Sequence, residues 1–266
     1  MKKDIDDNSF LDHNRTSWNK QAQSNSPWSQ PVSSELIAEA KKGNWELYLT
    51  PQPLPKRWLG DVRGKKILCL ASAGGQQAPL LAALGAEVTV FDISAEQLGH
   101  DRMVADRDSL NLLTVEGDMR DLSVFDDAIF DIIFHPISNH YVPEVISVWQ
   151  ECYRVLKNGG VLLASFYNPV LFIGDRNPSY MDQGVICPRY KIPYADITDL
   201  DPVLLEAKIS NNEPLVFGHS LRDLIGGQLD AGFVIADFME DEQPNPRFLV
   251  DRYLPTFMAT RTIKWS

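Results

Sequence analysis

Apolar residues recur along the middle of this chain in two alternating rhythms. Short unbroken runs suit strands buried on both faces, and longer stretches with apolar spacing of three and four suit helices. From Lys66, the run KILCLA predicts a first strand, with Gly74-Gly75 turning into the helix QAPLLAAL, which Gly85 ends. EVTVFD follows as a second strand, SAEQLGHDRMVADRD as a helix and NLLTVEG as a third strand. DMRDLSVF forms a short acidic turn before FDIIFH, the fourth strand. VPEVISVWQECYRVL is a strongly amphipathic helix, and after a Gly-Gly stop GGVLLASFY is the fifth strand. Five alternations of strand and helix imply an α/β domain with a mostly parallel sheet.

The flanks are less regular. Before Asn14 the chain reads as a tail, and SWNKQA as the start of a short helix with Ser17 as its cap. Ser34 precedes a second helical stretch, ELIAEAKKGNW, which Gly43 terminates, and PQPLPKRW is a rigid connector. Between 168 and 217 the alternation lapses into a passage rich in Pro, Asp and aromatics, the composition of a functional loop or cap. SLRDLIGGQLDAGF then offers a helix, and VIADFME and FLVDRYLPTFMATRTIKW supply closing strands, with Pro255 making the middle of the last segment an edge or loop. The expected organisation is an N-terminal tail and helices over 1–55, an α/β core over 56–167, an insert over 168–217, and a closing helix and strands over 218–266.

Composition narrows the function. A hydrophobic content of 44% against 23% charged residues supports a real core within 266 residues. The formal charge of -11 opposes broad binding to nucleic acid or an anionic bilayer. Cys69, Cys152 and Cys187 have neither disulfide-scaffold nor zinc spacing, so no metal is expected, and with no signal peptide or membrane-length apolar run a cytoplasmic location fits. Asp92 carries the chemical inference. It ends the second strand seventeen residues after Gly75, where an acid can receive both hydroxyls of a ribose bound over a parallel sheet. An adenosine-containing cofactor is therefore expected.

On these residues, 56–167 resembles the core of the class I S-adenosylmethionine-dependent methyltransferases of small-molecule type. The resemblance implies a Rossmann-like three-layer sandwich, mostly parallel, with an antiparallel C-terminal strand. It also implies S-adenosyl-L-methionine as cofactor and a small-molecule methyl acceptor. Ala71, Ala73 and Gly75 stand at the family's three glycine positions, and Cys69 replaces its usual acid, which puts an indirect hold on the cofactor's amino-acid end in doubt. Ser72 in the same turn and Gln97 on the following helix belong to the expected cofactor set. Asp92 would hold the ribose and Ile93 the adenine face, while GDM at 117–119 would bring Asp118 to the adenine amine and Met119 against the base. In the loop HPISNHY, His135 would line the cofactor site, and His140 is the candidate general base. The segment HNRTSWNKQA is similar to a lid in related enzymes, with Trp18 covering the cleft, Arg15 neutralising a cofactor carboxylate, and Asn14 and Asn19 beside them. Tyr167 and Asn168 would meet the acceptor. Tyr180, Tyr190 and Tyr194, with Arg176 and Arg189, would either roof the site or anchor a structural cap. The fourth-strand loop lacks the NPPY motif, which weighs against methylation of nucleic-acid bases. The rival readings are a non-catalytic S-adenosylmethionine sensor, favoured by the degenerate turn, and a nicotinamide-dependent oxidoreductase, disfavoured by the absence of a YxxxK pair.

Overall fold

A computed structural model of the protein describes residues 9–24, 26–175 and 178–265. The five expected core strands are β1 (Lys66–Leu70), β2 (Glu87–Asp92), β3 (Leu112–Glu116), β4 (Phe130–His135) and β5 (Leu156–Tyr167). They pair in parallel, and with β8 (Phe233–Asp241) and β9 (Phe257–Lys264) they make a seven-stranded sheet of order β3-β2-β1-β4-β5-β9-β8. β9 lies antiparallel to both β5 and β8. It runs inside the sheet, and the break expected at Pro255 falls in the loop just before it. β5 begins earlier than the Gly-Gly stop suggests, because a register shift against β4 lets Leu156 pair with Phe130 before regular pairing resumes at Val161.

Alternate residues of β1 show why the runs are apolar throughout. Ile67 and Cys69 pack on one face with Ile37, Leu81, Leu98 and Val104, while Leu68 and Leu70 pack on the other with Val148, Trp149 and Cys152. The first group brings α2 (Ser34–Lys41), α4 (Gln77–Ala83) and α5 (Ala95–Asp108) against the sheet, and the second brings α6 (Ile146–Val155). The short helix α3 (Lys56–Leu59) lies within the Pro-rich connector and buries Trp58. Two buried faces with helices on each make the three-layer sandwich.

Three local expectations give way to the structure. The first helix, α1, spans Ser9–Gln23, so Ser17 is no cap; it is buried mid-helix, its hydroxyl donating back to the His13 carbonyl at 2.9 Å. Helix α2 takes in Ser34 as its first residue and is capped by Ser33, whose hydroxyl accepts from the Leu36 amide. The irregular passage after β5 is structured. It holds short helices at Pro178–Gln183, Asp196–Asp199 and Pro202–Ser210, and a two-stranded antiparallel sheet of β6 (Tyr194–Ala195) and β7 (Phe217–Gly218). Phe217 meets Phe10 of α1 edge-on at 5.5 Å, which fastens this region to the N-terminal helix. The expectation for Arg176 lies outside the described residues.

Candidate active site

The carboxyl ends of β1, β2 and β4 open into one cavity of about 1390 Å³. Above β1 the chain turns sharply through 71–75. Ala71 sits at φ 46°, Gly74 at 124° and Gly75 at 73°, so the first small residue adopts a left-handed conformation that most side chains avoid. A Cβ on Gly74 would come within 2.9 Å of the Trp28 carbonyl, because 26–32 is laid across the turn as a strap. The Val32 amide donates to the Gly75 carbonyl at 2.8 Å, and Gln97 Nε2 donates to Ser29 Oγ at 2.6 Å.

Asp92 stands at the end of β2, partly exposed on the cavity wall. One carboxylate oxygen accepts from the Ser94 amide at 3.0 Å and the other from the Ala73 amide at 3.2 Å. Burial pushes its carboxyl up to about 6 against these backbone donors. Each oxygen still has accepting capacity toward the cavity. At the end of β3, Asp118 accepts from the Arg120 amide at 3.0 Å and takes a two-nitrogen grip from the Arg120 guanidinium at 2.9 and 2.7 Å. No helix follows for Asp118 to cap. Gly117 between them is required by packing, since a Cβ there would fall 2.3 Å from Phe91 Cζ.

Of the expected cofactor set, Trp18, Ala71, Ser72, Ala73, Asp92, Ile93, Gln97, Asp118 and Met119 line the cavity, as does His140. Arg15, Gly75 and His135 do not. Arg15, half-buried, pairs with Asp12 at 2.5 Å and approaches Glu116 at 3.9 Å. Gly75 faces Pro31 and the His100 carbonyl beneath the turn. His135 is wholly buried, its Nδ1 2.9 Å from the Leu70 carbonyl and its ring edge-on to Trp149, so it braces the end of β1 from behind. Burial presses its pKa down to about 4, which keeps the ring neutral and makes Nδ1–H the donor. His140 is 7% exposed; its ring lies 3.9 Å from that of Tyr141 and 5.1 Å from that of Tyr167. Trp18 meets the opposite part of this aromatic group, edge-on to Tyr141 at 5.1 Å, and Asn14 pins α1 by donating to the Tyr141 and Leu215 carbonyls.

Residues 68–164 match the methyltransferase domain family. A protein of Bacillus subtilis (strain 168) named uncharacterized methyltransferase YbaJ is 48% identical over 258 residues, covering 97% of this chain and 99% of its own. The chain belongs to the class I S-adenosylmethionine-dependent methyltransferases. A ubiquinone biosynthesis O-methyltransferase of Glaesserella parasuis serovar 5 (strain SH0165) matches this methyltransferase at 35% identity over 109 residues, 40% of this chain and 46% of that protein. In fold it resembles the crystal structure of an S-adenosylmethionine-dependent methyltransferase from Mesorhizobium loti, with a TM-score of 0.59, 18% identity and coverage of 78% and 94% of the two chains.

The residues around the turn fit the methyltransferase's cofactor chemically. Ser72 Oγ and Gln97 Oε1 belong to residues on the cavity wall and are buried polar atoms without a partner in the structure, and the second is an acceptor, the complement of an ammonium or of water bound to one. Among the described residues no cluster of His, Cys, Asp or Glu could hold a metal ion, and no helix is long and apolar enough to cross a membrane.

Of the far wall of the methyltransferase's cavity only Tyr167 was expected, and Asn168, expected beside it, does not line the cavity. The wall comes from 44–56 and 243–247, including Trp45, Tyr48, Leu49, Pro51 and Arg247, together with Tyr167 and Phe257. Among the described residues of 168–217, none contributes to the wall. Tyr190 and Tyr194 instead pack with Phe172 and Val250, and the Tyr194 hydroxyl donates to Asp196 at 2.7 Å, so these two serve as anchors of the insert. Arg189 pairs with Asp175 at 2.7 Å. Proline-rich spacing and the aromatic content of 44–56 were the available signal, but neither has a periodicity that reveals a facing direction.

Proposed function

We propose that this methyltransferase transfers a methyl group to a small-molecule acceptor held in the half of the cavity walled by Tyr48, Leu49, Pro51, Tyr167 and Phe257. The observation that carries this reading is capacity: about 1390 Å³ exceeds the roughly 300–1,000 Å³ of a pocket for one drug-sized ligand, leaving room for a second molecule beside a cofactor. The Glaesserella parasuis relative, named for ubiquinone biosynthesis, also favours a small acceptor.

In this reading Asp92 receives the ribose hydroxyls, Ile93 and Met119 enclose the adenine, Asp118 accepts from its amine, and Ala71, Ser72, Ala73 and Gln97 surround the amino-acid end. When bound, S-adenosylmethionine supplies an electrophilic methyl group, so the protein need provide no nucleophile. The chain's own task is then to align the acceptor and exclude water. Trp18 and the strap at 26–32 cover the cofactor half, and the aromatic wall fixes the plane of the acceptor. His140, between Tyr141 and Tyr167, takes a proton at an imidazole nitrogen when the acceptor atom arrives protonated. The test is incubation of the protein with methyl-labelled S-adenosylmethionine and fractionated cell extract. Label should enter a compound in the metabolite fraction and vanish with Asp92→Ala. Label confined to the RNA or protein fraction, or cofactor binding with no labelled product, would contradict the proposal.

A further inference from the structure

We propose that Asp101, reaching in from helix α5, takes over the work of the acid missing after β1 and positions the 71–75 turn for the amino-acid end of the cofactor. This rests on the placement of the ribose at Asp92 proposed above.

Four observations meet at this residue. Asp101 has 0% exposure on a helix face that it shares with buried Gln97, Leu98, Val104 and Ala105. A carboxylate buried there is strongly unfavourable unless backbone or charge partners compensate it. Its Oδ2 accepts from the Gly74 amide at 2.8 Å, and the Gly75 amide also faces it. Successive amides turned to one side by left-handed residues form a concave anion site, and here the anion is a side chain of the protein itself. Third, Asp101 acts electrostatically on Cys69, the residue standing where the resemblance expects the acid. Asp101 and Cys69 also flank the same turn, since the Gly74 amide donates to the Asp101 carboxylate and Cys69 lies in β1, which leads into that turn. Fourth, Asp101 Oδ1 lacks a partner, as do Ser72 Oγ and Gln97 Oε1 around the same turn.

Asp101 does not line the cavity, so it is a positioning residue, acting through the turn. Among the described residues, the titratable and charged groups that act on it are Cys69 from β1, Asp92 from β2 and Arg102 from its own helix. Burial lifts its carboxyl to about 7, with the Gly74 and Gly75 amides opposing. The ionised form, which binds the two amides more strongly, therefore gains population as pH rises through neutrality.

Calorimetric titration of the whole protein with S-adenosylhomocysteine and with 5′-methylthioadenosine, which lacks the amino-acid end, separates the possibilities. Asp101→Asn should weaken S-adenosylhomocysteine about 10-fold, the effect of losing one charge-assisted hydrogen bond, and change 5′-methylthioadenosine less than about 2-fold. Wild-type affinity for S-adenosylhomocysteine should climb more steeply from pH 6 to pH 8.5 than that of Asp101→Asn, which keeps Asp92. Adding Cys69→Asp to Asp101→Asn should recover most of the affinity by returning a carboxylate to the spot. Unchanged S-adenosylhomocysteine affinity in Asp101→Asn, or equal weakening of both ligands, would overturn the assignment. Asp92→Asn is the control: it should weaken both ligands, and if it weakens neither, the ribose placement fails and the Asp101 proposal with it.

Discussion

Replacing Asp92 with Asn should make the ligand-free protein more stable while it loses cofactor affinity. In the folded chain the carboxyl is lifted from an ordinary 3.8 to about 6, chiefly by burial. The native state thus holds a proton that the unfolded chain has released between these two values, and wild-type stability falls as pH rises through that window. At 1.36 kcal/mol for each tenfold in acidity the full effect is about 3 kcal/mol, reduced to about 2 kcal/mol by water in the cavity. Asn cannot ionise, so above pH 6 it escapes this penalty. It keeps one acceptor for the Ser94 or Ala73 amide but turns an NH₂ toward the other, which costs about 1 kcal/mol. The net gain is about 1 kcal/mol, or roughly 2–4 °C in melting temperature for a chain of this size.

Against that gain, the two charge-assisted bonds proposed to the ribose become at best one neutral bond. Affinity should fall on the order of 10- to 100-fold. Melting curves at pH 4.5 and pH 8, without ligand and with S-adenosylhomocysteine, read both effects in one experiment. The stability advantage of Asp92→Asn should be larger at pH 8 than at pH 4.5, and the ligand-induced rise should shrink. A variant less stable than wild type at pH 8 would refute the burial argument. An undiminished ligand-induced rise would refute the ribose assignment.

The remaining predictions follow the same geometry. Gly117→Ala forces a methyl group against the Phe91 ring, itself wedged edge-on to Phe125 at 5.6 Å, and should lower the urea-derived unfolding free energy by about 1–3 kcal/mol; an unchanged midpoint would show that Phe91 moves freely. His135 is neutral in the fold, at about 4 against an ordinary 6.5, so its contribution is complete above 6.5 and lost as pH falls toward 4. His135→Gln, which keeps a donor for the Leu70 carbonyl, should lose about 2–3 kcal/mol less stability than wild type between pH 7 and pH 4.5, and equal losses in urea titrations would contradict a buried neutral ring. Trp18→Ala removes the edge-on contact with Tyr141, worth about 0.5–1.5 kcal/mol, and opens the cavity to water; S-adenosylhomocysteine should bind about 10-fold more weakly in calorimetry, and unchanged binding would discard the lid.

The parallel core was legible because its central strands β1 and β4 are buried on both faces, which writes near-continuous apolar runs into the sequence, and because β2 ends its apolar positions on Asp92. The far wall of the cavity was not, because 44–56 and 243–247 meet only through the fold and neither segment has a period. The insert left two readings open for the same reason: Tyr190 and Tyr194 suit a roof as well as an anchor until the packing with Phe172 decides between them.

Asp101 shows a different kind of concealment. In SAEQLGHDRMVADRD it stands among six other charged or titratable residues, and by composition it belongs to a solvated helix face. Its spacing says otherwise. Positions 97, 98, 101, 104 and 105 trace the inner stripe of α5, so an acid at 101 falls on the buried side of the helix, where a carboxylate has to find a partner in the fold. The Gly74 amide supplies that partner across 27 residues of sequence. The lack of an acid after β1 and the surplus of one on the inner face of α5 are thus a single feature of this chain, divided between two elements. An acidic residue on the buried face of the helix that follows the carboxylate proposed for the ribose is therefore where sequence reading should look when the first strand of such a sheet lacks its own acid.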